Sequence, residues 1–368
     1  MDHPNRLVSE SALEALAEHP EAAQVLITRD WIAEAANAPD PLRRTLAAVG
    51  VCIQTERDPA ILHKLLRDSD PKVAAAAART VGRLEDRIYL DGLLRLLPGA
   101  KLRGVAIESL AAFGERIVGT LGDVLLDTTT PVSVRKQIPR VLRRIPSQRS
   151  VDVLLQCMAE PNLTVRASVL KSLNSLREEK NDFVYGKDSV FQQILSEARY
   201  YYEMNAALEP LKQREQSPAG KLLSSTLNER LQGTLDRLFR LLGLRYPPKE
   251  IYAAYQSLNR RKSDEFIAAI EFLDNVLERE LKRVLLPLLD EDGRISESGR
   301  ELFNIPVKDA TSALRELIRS GDSWLVACAV AAAAEWKITE LRGEIEPLSR
   351  NAGTEVGQVA QSAIAILA

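Results

Sequence analysis

Apolar residues recur along the chain in short stripes of helical spacing, and the stripes themselves return at a regular interval. The aliphatic residues that open successive stripes are on average about 31 residues apart, a period typical of stacked helical repeats. These residues are Leu42, Val73, Leu102, Val134 and Val165. The same interval separates Leu325 from Val356, and Phe266 is predicted to open a further stripe. The pattern therefore predicts repeats in both the early and the late parts of the chain.

Each repeat is predicted to be a pair of short helices. In the second repeat, Asp58-Pro59 supplies an N-cap and a first-turn proline, and apolar residues follow at helical spacing from 61 to 66. Asp70-Pro71 repeats this signal for an alanine-rich second helix, which we expect to end at Gly82 in a left-handed cap. Neither helix can cover its own apolar stripe, so neighbouring pairs must stack. The prediction is an all-α, two-layered, curved and right-handed solenoid.

These features resemble HEAT-like repeats: the Asp-Pro or Val-Arg helix start, the alanine-rich second helix and the glycine that follows it. The resemblance covers about 35–177 and 250–368, with a period shorter than the usual HEAT length of about 40 to 47 residues. It implies an armadillo-like, superhelical α-solenoid and carries no catalytic motif, so no activity follows from it. Pro139 lies inside a predicted second helix and is expected to kink it.

The period is lost in the middle of the chain, where two longer helices are predicted. They run from Asp188 to about Leu208 and from about Gly220 to Leu244, joined by a polar linker. They form either an inserted hairpin or an enlarged repeat. The sequence thus predicts three parts: N-terminal repeats over 1–177, a long-helix insertion over 178–249, and C-terminal repeats over 250–368.

A narrower resemblance covers roughly 185–290. The stretches 238–252, 271–277 and 287–290 are similar to the soluble HEAT extension attached to some bacterial ATP:ADP antiporter-like membrane proteins. The resemblance implies a cytosolic regulatory or assembly module of a bacterial protein. The membrane half and its nucleotide-translocating residues have no counterpart in this sequence. Membrane association is accordingly expected only through a partner or a fused domain.

Composition narrows the possible chemistry. The three histidines all lie within the first 63 positions, and Cys52, Cys157 and Cys328 are far apart, so we expect no disulfide, metal or cofactor. The longest uncharged apolar run, 324–334, has 11 residues, too few for a spanning helix. The N-terminus does not resemble a signal peptide, and a cytoplasmic location is expected. A glycine-rich stretch at 114–122 and an acidic turn at 290–293 lack key residues of phosphate and calcium loops, so both are predicted to be ordinary turns.

Charge is the more informative signal. The net charge of -2 hides a segment over 131–149 with six bases and no acid, and another over 263–301 with eleven acids and five bases. Three of those bases, at 136, 140 and 143, share one face of a second helix, which is expected to line the concave side of the solenoid. The candidate partner-binding residues are Arg135, Lys136, Arg140, Arg143 and Arg144.

Two interpretations of this basic stripe remain open. It is either a docking site for an acidic peptide, a nucleotide phosphate, anionic lipid or nucleic acid, or a solvated helix face with intramolecular ion pairs. Arg103, Arg135 and Arg166 also occupy equivalent repeat positions, which favours a structural ladder in which each arginine braces the acidic turn of the next repeat.

The sequence favours a non-catalytic scaffold that binds a protein partner, or an adjacent domain of its own assembly, through the concave face. A HEAT-like enzyme, of the alkylated-base DNA glycosylase or phycobilin lyase type, and a peripheral binder of anionic lipid or nucleotide are the other hypotheses. A glycosylase would need an aromatic residue beside the basic groove, and the stripe has no tryptophan or tyrosine within its own repeat. Nucleic acid is not expected as the partner.

Overall fold

The structure is a computed structural model that describes residues 25, 27–54, 57–180, 182–260, 263–289, 294–351 and 353–367. Every regular element in these ranges is a helix, which confirms the all-α solenoid of HEAT-like helix pairs. The chain divides into two compact units, residues 1–185 and 186–368. In the second unit the long helices and the C-terminal helices pack together. The three-part division expected from the sequence stays a prediction.

The described part of the first unit consists of helix pairs, each with a first and a second helix. The pairs are α1 (Arg29–Ala35) with α2 (Pro41–Gly50), α3 (Pro59–Leu65) with α4 (Pro71–Leu84), α5 (Leu90–Leu94) with α6 (Arg103–Ala112), α7 (Val118–Leu126) with α8 (Val132–Arg135) and α9 (Ile138–Arg143), and α10 (Gln148–Gln156) with α11 (Leu163–Glu179). Helices α2, α4, α6, α9 and α11 pack one on the next and are called the second-helix layer below.

The predicted start signals act as expected. Asp40, Asp58 and Asp70 each accept a hydrogen bond from the backbone amide two residues on, and a proline occupies the first helical position. In stacked repeats of this kind the second helices run in the same direction. Two contacts between neighbours share one register: the Thr80 hydroxyl donates to the carbonyl of Ala48 and the Ser168 hydroxyl to the carbonyl of Lys136, both across 32 residues. This constant register places equivalent positions of successive repeats side by side.

Two backbone details decide how the second helices end. The predicted cap at Gly82 is wrong: α4 continues to Leu84, and Glu85 takes the left-handed conformation with a φ of 52°. Gly82 instead allows close contact with α6, because a β-carbon there would lie 2.9 Å from the Ser109 Cα. Pro139 acts as predicted. The fourth second helix breaks between α8 and α9, and the proline occupies the first turn of α9.

The second unit is built around a long hairpin. Helices α12 (Lys187–Leu208) and α13 (Pro218–Arg245) have 22 and 28 residues, which confirms the two long helices. The remaining helices are α14 (Pro248–Arg260), α15 (Ser263–Val276), α16 (Arg279–Leu285), α17 (Ile295–Phe303), α18 (Ala310–Ile318), α19 (Ser323–Glu335), α20 (Arg342–Ser349) and α21 (Glu355–Ile366). Helices α19 and α21 begin 32 residues apart, so the predicted period does return at the C-terminal end.

The long helices form the centre of this unit. Helix α13 packs on α12, α14 and α19, and α12 packs on α17 and α18. An ion pair between Glu197 and Arg237, 2.9 Å long with both side chains buried, joins the two long helices. Helix α19 runs antiparallel to α13. Asp322, the N-cap of α19, pairs with Arg230 in the middle of α13, whereas Glu335 at the C-terminal end of α19 accepts from the amide of Ala219 at the start of α13. Since second helices of regularly stacked repeats run parallel, α18 and α19 do not continue α12 and α13 as an ordinary repeat.

Candidate partner-binding surface on the second helices

Arg135, the first residue of the predicted basic stripe, is not on the surface. Its side chain is buried, with 3% of the residue exposed. Its Nη2 lies 2.6 Å from a carboxylate oxygen of Glu160, and its Nε donates to the carbonyl of Leu125 at 2.8 Å. The other oxygen of Glu160 accepts from the amide of Asn162, which caps the next second helix. Arg135 therefore fastens one repeat to the turn of the next, and the sequence placed it wrongly among the exposed residues.

This bracing is repeated at the start of the layer. Arg44 stands at the position equivalent to Arg135 and forms two hydrogen bonds with Asp68, which in turn accepts from the amide of the N-cap Asp70. The arginine holds the pKa of the Asp68 carboxyl below its usual value. The predicted ladder is thus confirmed at Arg135, and Arg44 is a member that the sequence reasoning missed.

The other two members of the predicted ladder bind their own repeat. Arg103 donates to the carbonyls of Leu97 and Pro98, and the Nε of Arg166 donates to the carbonyl of Glu160. These bonds satisfy carbonyls in the turn between the first and the second helix, where no helical partner exists. Arginine at this position therefore stabilises the turn of its own helix pair, and at Arg44 and Arg135 it also pairs with an acid of the next repeat.

The remaining predicted site residues lie on or near the surface of α9. Arg140, Arg143 and Arg144 are exposed, and Lys136 is half-buried. Arg143 forms an ion pair of 2.8 Å with Glu179 of α11, and Arg140 donates a hydrogen bond to the side-chain oxygen of Gln137. Arg143 is thus paired within the molecule, whereas the side chains of Lys136 and Arg144 have no partner among the described residues. The interpretation of the stripe as a docking site stays a prediction.

The same face of the neighbouring second helices is also basic. On α4, residues 72, 79 and 83 follow at i, i+7 and i+11, so they share one exposed side of the helix. We call the whole set the basic face: Lys72, Arg79, Arg83, Lys101, Lys136, Arg140, Arg144 and Lys171, of which seven are exposed. Two exposed acids stand among them: Glu108 on α6, at the repeat position of Arg79, Arg140 and Lys171, and Glu178, seven residues after Lys171 on α11. The face extends across four helix pairs, so it is much larger than the predicted stripe.

The sequence contained a signal for this larger face. A count of charges along consecutive residues detects only the segment over 131–149, where the bases are dense. Arg79, Glu108, Arg140 and Lys171 each stand six residues after the aliphatic residue that opens their stripe, at 73, 102, 134 and 165 respectively. Because the register of the second-helix layer is constant, charges at such positions are neighbours in space even where each helix carries few of them.

Other residues singled out in the sequence lie in turns or in the core where the structure describes them. Within the described ranges, no group of three histidine, cysteine, aspartate or glutamate side chains is arranged to hold a metal ion. Burial raises the pKa of the Cys157 thiol to about 11, which keeps it protonated at neutral pH. The stretch at 114–122 is a turn with Gly114 in the left-handed conformation followed by α7, as predicted. His3, His19 and the acidic turn at 290–293 lie outside the described residues.

The acidic segment of 263–301 is partly neutralised by neighbours in its own unit. Glu278 pairs with Arg245 at 2.5 Å, and Asp274 with Lys282 at 3.4 Å. Among the described residues, no helix combines the length and the apolarity that crossing a bilayer requires.

A family comparison supports helical repeats over part of the chain. Residues 90–174 match the HEAT-repeat family, which corresponds to the third, fourth and most of the fifth helix pair. A search of solved structures finds similarity to an engineered protein from the Northeast Structural Genomics Consortium, with 17% identity, coverage of 98% of this chain and 93% of that chain, and a TM-score of 0.29. No curated protein matches the sequence significantly. Residues 90–174 are thus similar to HEAT repeats, and the likeness of 185–290 to the antiporter-linked extension stays a prediction.

Proposed function

We propose that the protein is a non-catalytic interaction scaffold, and that it binds a protein partner, or an adjacent domain of its own assembly, through the basic face. The observation that carries the proposal is the row of bases on consecutive second helices: most have no acidic partner among the described residues, although Arg143 beside them does. Unpaired charges of one sign repel each other, and an acidic partner would remove that repulsion. HEAT repeats in this region agree with such a role.

The test compares two triple charge reversals in the full chain. Arg140→Glu and Arg144→Glu reverse two charges of the basic face, and Arg143→Glu reverses the charge of the paired arginine beside it. Arg67→Glu, Arg95→Glu and Arg149→Glu make the same change in net charge at exposed positions on or beside the first helices. Both variants should keep the helical circular dichroism spectrum of the wild type.

Proteins captured from a cell extract by the wild type should also be captured by the first-helix variant and lost from the basic-face variant. Cross-linking followed by mass spectrometry should place the captured protein on α4, α6 and α9. If the basic-face variant captures the same proteins in the same amounts, the face is not the binding surface and the proposal is wrong.

A finer proposal concerns the cellular setting. The resemblance of 185–290 to a soluble extension of antiporter-like membrane proteins supports a role as the cytosolic regulatory part of such a protein, encoded in the same chain or as a separate subunit. Co-purification with a multi-helix membrane protein from detergent extracts tests this. Recovery of the chain in the soluble fraction alone, with no membrane protein bound, would count against it.

A further inference from the structure

We infer that the ligand of the basic face is an extended acidic segment of a protein chain, which crosses the second helices with one side chain per repeat and presents a base, not an acid, to Glu108. This inference rests on the proposed function and adds the conformation and the charge order of the partner. It depends on one row of residues at equivalent repeat positions: Arg79, Glu108, Arg140 and Lys171.

The spacing of this row matches one type of extended chain. Packed helices lie about 8–10 Å apart, so successive members of the row are separated by about that distance. A polyproline II chain has three residues per turn and rises about 9 Å in each turn, which brings every third side chain to the same side. In a β-strand, residues three apart point to opposite sides. The row therefore fits a polyproline II segment with a charged residue at every third position.

Glu108 gives the row a charge order. Read from α4 to α11, the row is basic, acidic, basic and basic. The complementary segment is Glu-x-x-Lys-x-x-Glu-x-x-Glu, or the same order reversed if the chain runs the other way. The flanking bases Lys72, Lys101 and Arg144 raise the local positive potential, which favours an acidic segment over a neutral one without altering its register.

The same residue disfavours a nucleic acid. A phosphate backbone carries a negative charge at every step and cannot offer a cation to Glu108. The exposed positions of the face, from Lys72 on α4 to Lys171 on α11, also contain no aromatic ring on which a base could stack. Binding of a nucleic acid is therefore the competing outcome that the experiment must be able to detect.

The experiment measures fluorescence anisotropy of labelled decapeptides with the full chain at low ionic strength. The matched peptides are Glu-Ser-Pro-Lys-Ser-Pro-Glu-Ser-Pro-Glu and a second peptide with its charged residues in the opposite order, Glu-Ser-Pro-Glu-Ser-Pro-Lys-Ser-Pro-Glu. The permuted peptides have the same composition with the lysine at either end. A matched peptide should bind at least about fivefold more tightly than both permuted ones, because permutation mismatches two or more exposed charge pairs. The difference should shrink as salt is added.

Glu108→Lys provides the decisive variant, since it changes the charge order without altering the fold of an exposed helix position. It should reverse the preference, so that a decapeptide with glutamate at all four positions binds more tightly than the matched peptides. Arg79→Glu should weaken the matched peptides by about fivefold or more, whereas Arg95→Glu, outside the face, should leave them unchanged.

Equal binding of matched and permuted peptides, or tighter binding of a 20-nucleotide oligothymidine than of any peptide, would overturn the inference. If no peptide binds but the Arg140, Arg143 and Arg144 reversal still abolishes partner capture, the inference fails while the proposed function stands. If the reversal has no effect on capture either, both are wrong.

Discussion

Replacing Arg135 by methionine tests whether this residue serves the fold rather than the binding surface. Methionine keeps most of the aliphatic volume but removes the charge that faces Glu160, whose side chain is only 6% exposed. It also removes the hydrogen bond to the carbonyl of Leu125. Leaving one member of a buried ion pair without its partner typically costs about 3–5 kcal/mol. Arg140→Met, at an exposed position of the adjoining helix, should cost no more than about 0.5 kcal/mol.

Hydrogen exchange in the full chain measures how much stability Arg135→Met removes near the ion pair. Amides of α7, α9, α10 and α11 surround the ion pair, and a loss of about 3–5 kcal/mol corresponds to exchange about 10² to 10⁴ times faster when they open together. Arg140→Met should change these rates by less than about threefold.

The double variant Arg135→Met with Glu160→Met distinguishes two costs: that of leaving the Glu160 carboxylate buried without a partner, and that of losing the attraction between the two charges. Two apolar side chains of similar length leave no unpaired charge, so most of the lost protection should return. Arg135→Met should also retain partner capture under conditions in which the protein is folded. If Arg135→Met and Arg140→Met give the same exchange rates, Arg135 is not a structural brace and the reasoning fails.

Three further predictions concern packing, acid stability and thiol reactivity. Gly82→Ala should lower the free energy of unfolding measured in urea titrations by about 1–3 kcal/mol, because its β-carbon would meet the backbone of α6. Gly104→Ala, which has open space around it, should be neutral or stabilising by up to about 1 kcal/mol in the same titrations. The Asp68 carboxyl has a lowered pKa in the folded state, so its pairing with Arg44 stabilises the fold fully above the unfolded pKa of about 3.9 and is lost as the pH falls through the folded value; Asp68→Asn should flatten the fall in urea midpoint below about pH 4. Cys157, with a pKa of about 11, should resist iodoacetamide at pH 8 in the native protein and react after unfolding, and rapid native alkylation at this residue would refute its assignment as a buried thiol.

The helix pairs of the first unit follow directly from local signals in the sequence. An aspartate followed by proline fixes the start of a helix through its own side chain and the fixed φ of proline, so positions 40, 58 and 70 require no tertiary information. The end of α4 is different. Gly82 satisfies the local rule for a cap, but the close contact with α6 requires glycine at that point for a different reason. Glycine allows both roles, and only the neighbouring helix distinguishes them.

The site shows the same limit. An arginine four residues after the N-cap appears exposed when charges are counted along the chain. The structure shows that this position faces the turn of its own pair, as Arg44, Arg103 and Arg166 also demonstrate. Lys136, Arg140 and Arg144 were found because they are close together in sequence. Bases on α4 and α11 belong to the same face through the register of the layer, which a residue count within one helix does not reveal.

Helix direction explains why the basic face is found in the first unit. Parallel second helices at constant register turn one residue per repeat into a row, as Arg79, Arg140 and Lys171 show. In the second unit α19 runs antiparallel to α13, so positions that are equivalent by sequence lie at opposite ends of the two helices. Periodic apolar residues specify which side of a helix is buried but not the direction of the helix that covers it. A repeat count alone would therefore assign the same binding capacity to α13 and α19 as to the second helices of the first unit, whereas a row of evenly spaced charges requires neighbouring helices that run parallel.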